Sequence, residues 1–345
     1  MRLSLKVLMF LNLSVRTTVS LCPKSITRTM SSSNYWNREE SKPKSFANDK
    51  PICQQAKIIS LSTPDDPACA ALHTADLPQG ASLLAVGTKM EEFDVKVLQE
   101  EKPNVLFVSH PLARKPLAEL LTALPSIQWV HTRSAGIDFV VSDELVEAND
   151  RIQITNAKGC FSSTLAEYTM MACAYFAKDL PRLLKQKNAS NWEKYSVKEI
   201  RGATLGVVGY GDIGRAAAKL ATAYGMKVIA LRRNPDKSPE DPYCDVVYGS
   251  DKESLNKLFS ESDYVLCAAP LTPQTKGMIG KEQFENAKDG AVFINVGRGP
   301  IVDEDALIDA LKSGAIKGAG LDVFSVEPLP ESSDLWDLDN VLLSP

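Results

Sequence analysis

The most specific chemistry in this sequence lies in six consecutive residues, Gly209-Tyr210-Gly211-Asp212-Ile213-Gly214. A G-x-G-x-x-G spacing alone is weak, but its flanks here are those of a βαβ unit. The apolar run Thr204–Val208 precedes it, and the Ala-rich stretch Arg215–Tyr224 follows and closes at Gly225. A second apolar run, Lys227–Leu231, completes the unit. In such a unit Gly209 permits the tight turn, Gly211 lets a pyrophosphate approach the backbone, and Gly214 lets helix and strand pack closely. Asp212 and Ile213 lie at the start of the helix, whose N-terminal N–H groups and dipole favour phosphate. The loop is therefore expected to bind a dinucleotide.

The end of the second strand selects among dinucleotides. An NAD site would carry an acid there for the ribose 2′-hydroxyl. The sequence has Leu231-Arg232-Arg233-Asn234 instead. Two guanidiniums would hold a 2′-phosphate by charge-assisted bonds, so NADPH is expected in preference to NADH. Two further charged residues, Arg298 and Glu327, follow strand-like runs at Ala291–Val296 and Gly318–Val323. In open α/β sheets, ligands bind at the carboxyl ends of strands.

These residues need elements to hold them. Strand-like runs are expected at Lys57–Leu61, Ser82–Val86, Val105–Val108, Gln128–Thr132 and Ile152–Asn156, with helical spacing at Leu117–Leu124. One long, well-buried helix is expected from Ser163 to Lys187, on the apolar residues Leu165, Met170, Met171, Ala174 and Phe176. A polar loop, Asn188–Arg201, leads to the second series, which adds Tyr264–Ala268 to the strands already named. Two α/β series predict two mainly parallel sheets in two domains with a cleft between them.

Composition agrees with this and excludes other classes. The chain has 345 residues, 44% hydrophobic and 24% charged, and a net charge of −4. That suits a two-domain globular protein and gives no sign of a nucleic-acid binder. No apolar run reaches the roughly 20 residues a membrane-spanning helix needs. Seven cysteines without a C-x-x-C pair predict no metal site and no disulfide framework, and fit a reducing compartment. Residues 1–38 carry Arg2, Lys6, Arg16, Lys24, Arg28 and Arg38 and no acid. Residues 1–56 therefore read as a targeting leader and linker, with mitochondrion or plastid as destination, or cytoplasm if the leader does not target.

Taken together, the glycine loop, Pro270-Leu271-Thr272-Pro273-Gln274-Thr275, Asn295-Val296-Gly297-Arg298-Gly299-Pro300 and Leu321-Asp322-Val323-Phe324-Ser325-Val326-Glu327-Pro328 resemble the D-isomer-specific 2-hydroxyacid dehydrogenases over residues 57–345. The glyoxylate/hydroxypyruvate reductase branch is the most similar. The resemblance implies two doubly wound parallel-sheet domains: a Rossmann cofactor domain (158–323) inserted in a flavodoxin-like substrate domain (57–157 plus 324–345). It implies that Arg298 binds the substrate carboxylate and keto oxygen, and that Glu327 pairs with a catalytic histidine. It implies that Asp322 lies near the nicotinamide carboxamide, that Pro270, Thr275 and Val296 line the cofactor, and that backbone N–H groups of Ala135 and Gly136 hold the substrate carboxylate. Gly87-Thr88 and Ser109-His110-Pro111-Leu112 are candidate walls of the substrate pocket. The substrate would be a small 2-keto or 2-hydroxy acid, and the assembly a homodimer.

Reduction of a keto group also needs a proton donor, and histidine suits it because its pKa lies near neutrality. The chain has only His73, His110 and His131, and none matches the family's acid/base position. That position would follow Pro345, so the chain is expected to be cut short just before its catalytic histidine. The alternative is an impaired NAD(P)H-binding fragment, or a dinucleotide-sensing interaction protein on the same fold.

Overall fold

The computed structural model describes residues 55–74, 77–148, 150–237 and 241–344. The expected leader and most of the linker lie outside them. The chain forms two compact units, divided between Lys158 and Gly159.

The first unit alternates strand and helix: β1 (Ala56–Leu61), α1 (Ala70–Thr74), β2 (Ala81–Gly87), α2 (Val95–Glu101), β3 (Val105–Val108), α3 (Arg114–Ala123), β4 (Trp129–Thr132), α4 (Asp143–Ala148) and β5 (Gln153–Asn156). The strands form one parallel sheet in the order β2-β1-β3-β4-β5, the flavodoxin-like order. Apolar side chains on both faces make this possible. All four residues of β3 are buried, as a strand covered by helices on two sides requires. Helix α2 begins where Asp94 accepts a hydrogen bond from the N–H of Val97.

His131 in β4 has a consequence for stability. Burial pushes its imidazole pKa down to about 4, and its Nδ1 pairs with the hydroxyl of Thr155 at 2.8 Å. Between about pH 6.5 and 4 the unfolded chain takes up a proton that the folded chain does not. Stability therefore falls as pH drops through that window, by about 3 kcal/mol below it. Urea unfolding at pH 7 and pH 4 is expected to show a smaller acid-induced loss for His131→Asn than for the unmodified protein. An equal loss in both would exclude this origin.

The second unit opens with α5 (Ser162–Lys178) and α6 (Leu180–Asn188). It continues through β6 (Thr204–Val208), α7 (Asp212–Ala223), β7 (Lys227–Leu231), β8 (Val246–Tyr248), α8 (Lys252–Glu261), β9 (Tyr264–Cys267), α9 (Lys281–Glu285), β10 (Val292–Asn295), α10 (Glu304–Ser313), β11 (Gly318–Leu321) and β12 (Val341–Leu343). The order β12-β11-β10-β9-β6-β7-β8 is parallel throughout and doubly wound.

Three expectations need correction. The long helix is two, because Asp179 takes a left-handed conformation (φ 51°) and Pro181 in the next turn has no N–H to continue the ladder. The carbonyls of Lys178 and Asp179 accept the hydroxyl of Tyr195 instead. Helix α5 is buried on one face only, since Met171 is 47% exposed while Met170 is 4% exposed. Residues 324–345 do not join the first unit. Within them β12 pairs with β11, Ala319 opposite Val341, so Val341–Leu343 extend the second sheet and the segment is grouped with the second unit.

Candidate active site

The glycine loop is built from the end of β6. Gly209 has φ 97°, and a Cβ there would lie 2.6 Å from the backbone of Ala269, so glycine is required twice over. The N–H groups of Gly209 and Tyr210 both donate to the carbonyl of Leu231, at 3.2 and 3.1 Å, which ties the loop to the end of β7. Gly211 caps α7, and a Cβ there would meet nothing within 4 Å. A Cβ at Gly214 would lie 2.6 Å from the Gly209 carbonyl oxygen and 2.8 Å from Val207. Ile213 packs against the core cluster, and Asp212 opens the helix half-buried. Open space above Gly211, beside first-turn N–H groups without helical partners, fits a bound pyrophosphate.

Two substitutions separate these roles. Gly211→Ala is expected to cost less than about 1 kcal/mol of stability yet to weaken nucleotide binding, because its methyl enters that open space. Gly214→Ala is expected to cost about 1–3 kcal/mol by overpacking helix against strand. Thermal unfolding and a nucleotide titration on each variant check both. Undiminished nucleotide affinity in Gly211→Ala would refute the cradle.

Arg232 follows Leu231 directly, and its N–H donates to the Tyr248 carbonyl at 3.0 Å. Its side chain is half-buried, and that of Arg233 is exposed.

Ala269 joins the remaining segments. A Cβ at Gly297 would lie 2.8 Å from its carbonyl oxygen, as Gly209 abuts its backbone from another direction. The glycine loop, the Pro270 turn and the Gly297-Arg298 segment thus meet at one residue that the sequence reading passed over. A glycine abutting distant backbone leaves no signal at the residue it abuts. The Pro270 turn is closed by Thr275, whose hydroxyl donates to the Pro270 carbonyl at 2.7 Å and accepts from the N–H of Thr272 at 2.8 Å. That hydroxyl is engaged within the turn. Val296 has a buried side chain in the core, leaving its main chain at the strand end.

Arg298 stands half-buried at the end of β10, its Nη1 donating to the Gly297 carbonyl at 2.9 Å. Gly299 lies so close to the Phe324 backbone that a Cβ would overlap it. The Phe324 N–H in turn donates to Glu327 Oε1 at 3.0 Å, so the turns carrying Arg298 and Glu327 are locked together. Glu327 itself is exposed. Asp322 directly follows β11, its N–H donating to the Asn295 carbonyl at 3.0 Å. Burial pushes its carboxyl above the usual range, a Ser344 hydrogen bond opposes this, and the Glu327 charge adds to it. Tyr168 of α5, absent from the sequence reading, has a buried hydroxyl with no hydrogen-bond partner among the described residues, and burial and the Asp322 charge raise its phenol pKa.

In the first unit, the carbonyls of the loop after β4 are held. Asn156 Nδ2 donates to Ala135 O at 2.7 Å, and Ser134 Oγ donates to Gly136 O at 2.8 Å. The N–H groups of Ala135 and Gly136 donate no hydrogen bond among the described residues. The histidines are engaged elsewhere. His73 uses Nε2 with Ser62 Oγ and Nδ1 with Pro64 O, and His110 Nδ1 accepts the Leu112 N–H.

Comparison with known proteins bears on this arrangement. The profile described as D-isomer specific 2-hydroxyacid dehydrogenase, NAD binding domain, matches residues 170–345. The chain is 34% identical over 237 residues to a hydroxypyruvate reductase of Thermotoga maritima, covering 68% of this chain and 74% of that one. It is 37% identical over 238 residues to a glyoxylate reductase of Korarchaeum cryptofilum, covering 66% and 68%. A solved D-isomer specific 2-hydroxyacid dehydrogenase from Xanthobacter autotrophicus Py2, in complex with NADPH and MES, is 29% identical, with a TM-score of 0.68 over 85% of this chain and 88% of that one.

Proposed function

This chain belongs to the D-isomer specific 2-hydroxyacid dehydrogenase family, and from that premise we propose that it reduces a small 2-keto acid, of the glyoxylate or hydroxypyruvate kind, with NADPH in preference to NADH. One observation carries the reading. The segments that meet at Ala269 set the Arg298 turn beside a glycine cradle that fits a dinucleotide pyrophosphate.

Gly209, Gly211, Asp212, Ile213 and Gly214 would hold the pyrophosphate, Arg232 and Arg233 the 2′-phosphate, and Pro270, Thr275 and Val296 the shape of the nicotinamide end. Bound there, the reduced nicotinamide supplies a hydride. Arg298 takes the substrate carboxylate and the oxygen on which negative charge develops, a role that needs a fixed cation rather than a mobile one. The N–H groups of Ala135 and Gly136 are further donors of the kind a carboxylate needs. Asp322, held toward its protonated form, suits hydrogen bonding to a carboxamide. Glu327 is the carboxylate that would keep a histidine acid protonated. That acid is not His131, whose burial keeps it neutral at pH 7. The apolar face of Leu180, Leu183 and Leu184, none of them buried, together with exposed Trp192, supports pairing with a second copy.

Protein expressed with any coding sequence that follows Pro345 is expected to oxidise NADPH faster than NADH when given glyoxylate or hydroxypyruvate, followed by loss of nicotinamide absorbance. Tight NADPH binding with no turnover of any 2-keto acid would replace the reductase with a dinucleotide sensor.

A further inference from the structure

The Tyr168 hydroxyl is buried in the second unit and makes no hydrogen bond among the described residues. A buried polar group left unpaired costs free energy, and native folds keep few of them. Its place is fixed by Gly320 of β11. A Cβ built there would lie 3.6 Å from Tyr168 Oη, 3.2 Å from Ala172 Cβ and 3.8 Å from Ile294 Cγ1. Helix α5 therefore lies over this face of the second sheet, and the absent side chain at Gly320 leaves the phenol its room. Side chains two apart on a strand share a face. The ladder with β10 runs on through Asp322, whose N–H donates to the Asn295 carbonyl. The Asp322 carboxyl thus stands on the face that Tyr168 covers, one two-residue step of about 6.6 Å nearer the carboxyl end.

Asp322 is the acceptor this hydroxyl can meet. Burial and the Asp322 charge keep the phenol protonated, so it is a donor at neutral pH. Three further influences act on the carboxyl. Burial, the largest, and the Glu327 charge work against ionisation, and a Ser344 hydrogen bond favours it. Neighbouring β10 is Val-Phe-Ile-Asn and brings no titratable side chain, and Arg298 stands beyond its end. A carboxylate has about four lone-pair positions, so the Ser344 bond leaves capacity for the phenol and for a ligand N–H together. A neutral donor suits this place. A cation would lock the carboxylate in an ion pair, and an apolar ring would leave it protonated.

Strand order joins this pair to the nucleotide. The glycine cradle at β6 lies between β7, which leads into Arg232, and the series β9, β10 and β11. A dinucleotide with its 2′-phosphate at Arg232 and its pyrophosphate at the cradle would run its nicotinamide end toward the Asp322 side. We infer that Tyr168 is a positioning residue for that end: its hydroxyl donates to Asp322 and so presents the carboxyl to the nicotinamide carboxamide. The inference rests on the reductase reading, in which Asp322 meets the carboxamide, and adds the residue that holds Asp322 and sets the pH at which it titrates. Tyr168 itself touches neither substrate nor nucleotide.

The test is equilibrium binding to the full chain by calorimetry, which requires no turnover. NADP is compared with 2′-phospho-ADP-ribose, which keeps the 2′-phosphate and pyrophosphate and lacks the nicotinamide. The ratio of the two affinities isolates the nicotinamide end and cancels titration of the shared phosphates. Tyr168→Phe is expected to lower that ratio roughly tenfold, the loss of one hydrogen bond to a charged group, and to leave 2′-phospho-ADP-ribose within about twofold. It is also expected to move the pH midpoint of the ratio upward by about one unit, because the Asp322 anion loses a donor. In Asp322→Asn the midpoint is expected to disappear. An unchanged ratio and midpoint in Tyr168→Phe overturn the inference, and so does a midpoint that persists in Asp322→Asn. Losses that fall equally on both ligands overturn it too, since they mark the phenol as packing alone. If the unmodified protein binds the two ligands equally, the Asp322 contact fails and takes this inference with it. If it binds neither, the dinucleotide reading itself fails.

Discussion

Arg298→Ala is expected to lower kcat/KM for glyoxylate and hydroxypyruvate by roughly a thousandfold or more. Two losses combine in this figure. A charge-assisted pair with the substrate carboxylate contributes about 1.5–3 kcal/mol, and a fixed donor to a developing oxyanion contributes about 2.7–4 kcal/mol. The Arg298 turn is set by Gly299, which the Phe324 backbone abuts without room for a Cβ, and by Gly297, pressed on the Ala269 carbonyl. The guanidinium therefore extends from a rigid strand end, and its deletion leaves a gap that the loop cannot close. Arg298→Lys is expected to recover little, because a single ammonium cannot span two oxygens as a planar fork does. NADPH affinity serves as the control for folding, and it should stay within a few-fold of the unmodified value. A variant with near-normal kcat/KM would remove Arg298 from the reaction.

The second large effect concerns the nucleotide. Arg232→Ser with Arg233→Ser is expected to weaken NADPH binding by roughly a hundredfold and leave NADH within a few-fold. Each charged hydrogen bond to phosphate contributes about 1.5–3 kcal/mol, but exposure of Arg233 discounts its share. The gap between the two nucleotides should narrow as salt rises, since an exposed guanidinium is screened within about 10 Å at 0.1 M. Position strengthens the expectation. The Leu231 carbonyl anchors the glycine loop, and Arg232 is the next residue, with its main chain fixed to Tyr248. Equal losses for NADPH and NADH would show that the arginines support the fold and do not read the phosphate.

The sequence alone determined what depends on neighbours within a few residues. Gly209 and Gly214 were legible because a tight turn and a close helix–strand approach each forbid a Cβ locally. The parallel strands were legible because burial on both faces demands continuous apolar runs such as Val105–Val108. Arg232 and Arg233 were legible because the cofactor-selecting position is counted along the chain from the glycines.

Tertiary structure decided whatever depends on which distant strands lie side by side. Residues 324–345 are expected in the first unit from the resemblance, and the pairing of β12 with β11 puts Val341–Leu343 in the second sheet. The carbonyls freed at the Asp179 break are taken up by Tyr195, sixteen and seventeen residues further on. Ala269 has no chemistry of its own, yet the doubly wound order stacks the ends of β6, β9 and β10 around it. Arg133 Nε donates to Ser109 Oγ and Ser109 Oγ to Asp66 Oδ2, linking residues after β4, β3 and β1 that are separated by 24 and 43 positions. Only crossover connections that return each strand parallel to the last bring their carboxyl ends to one edge, and local propensity carries no record of that order.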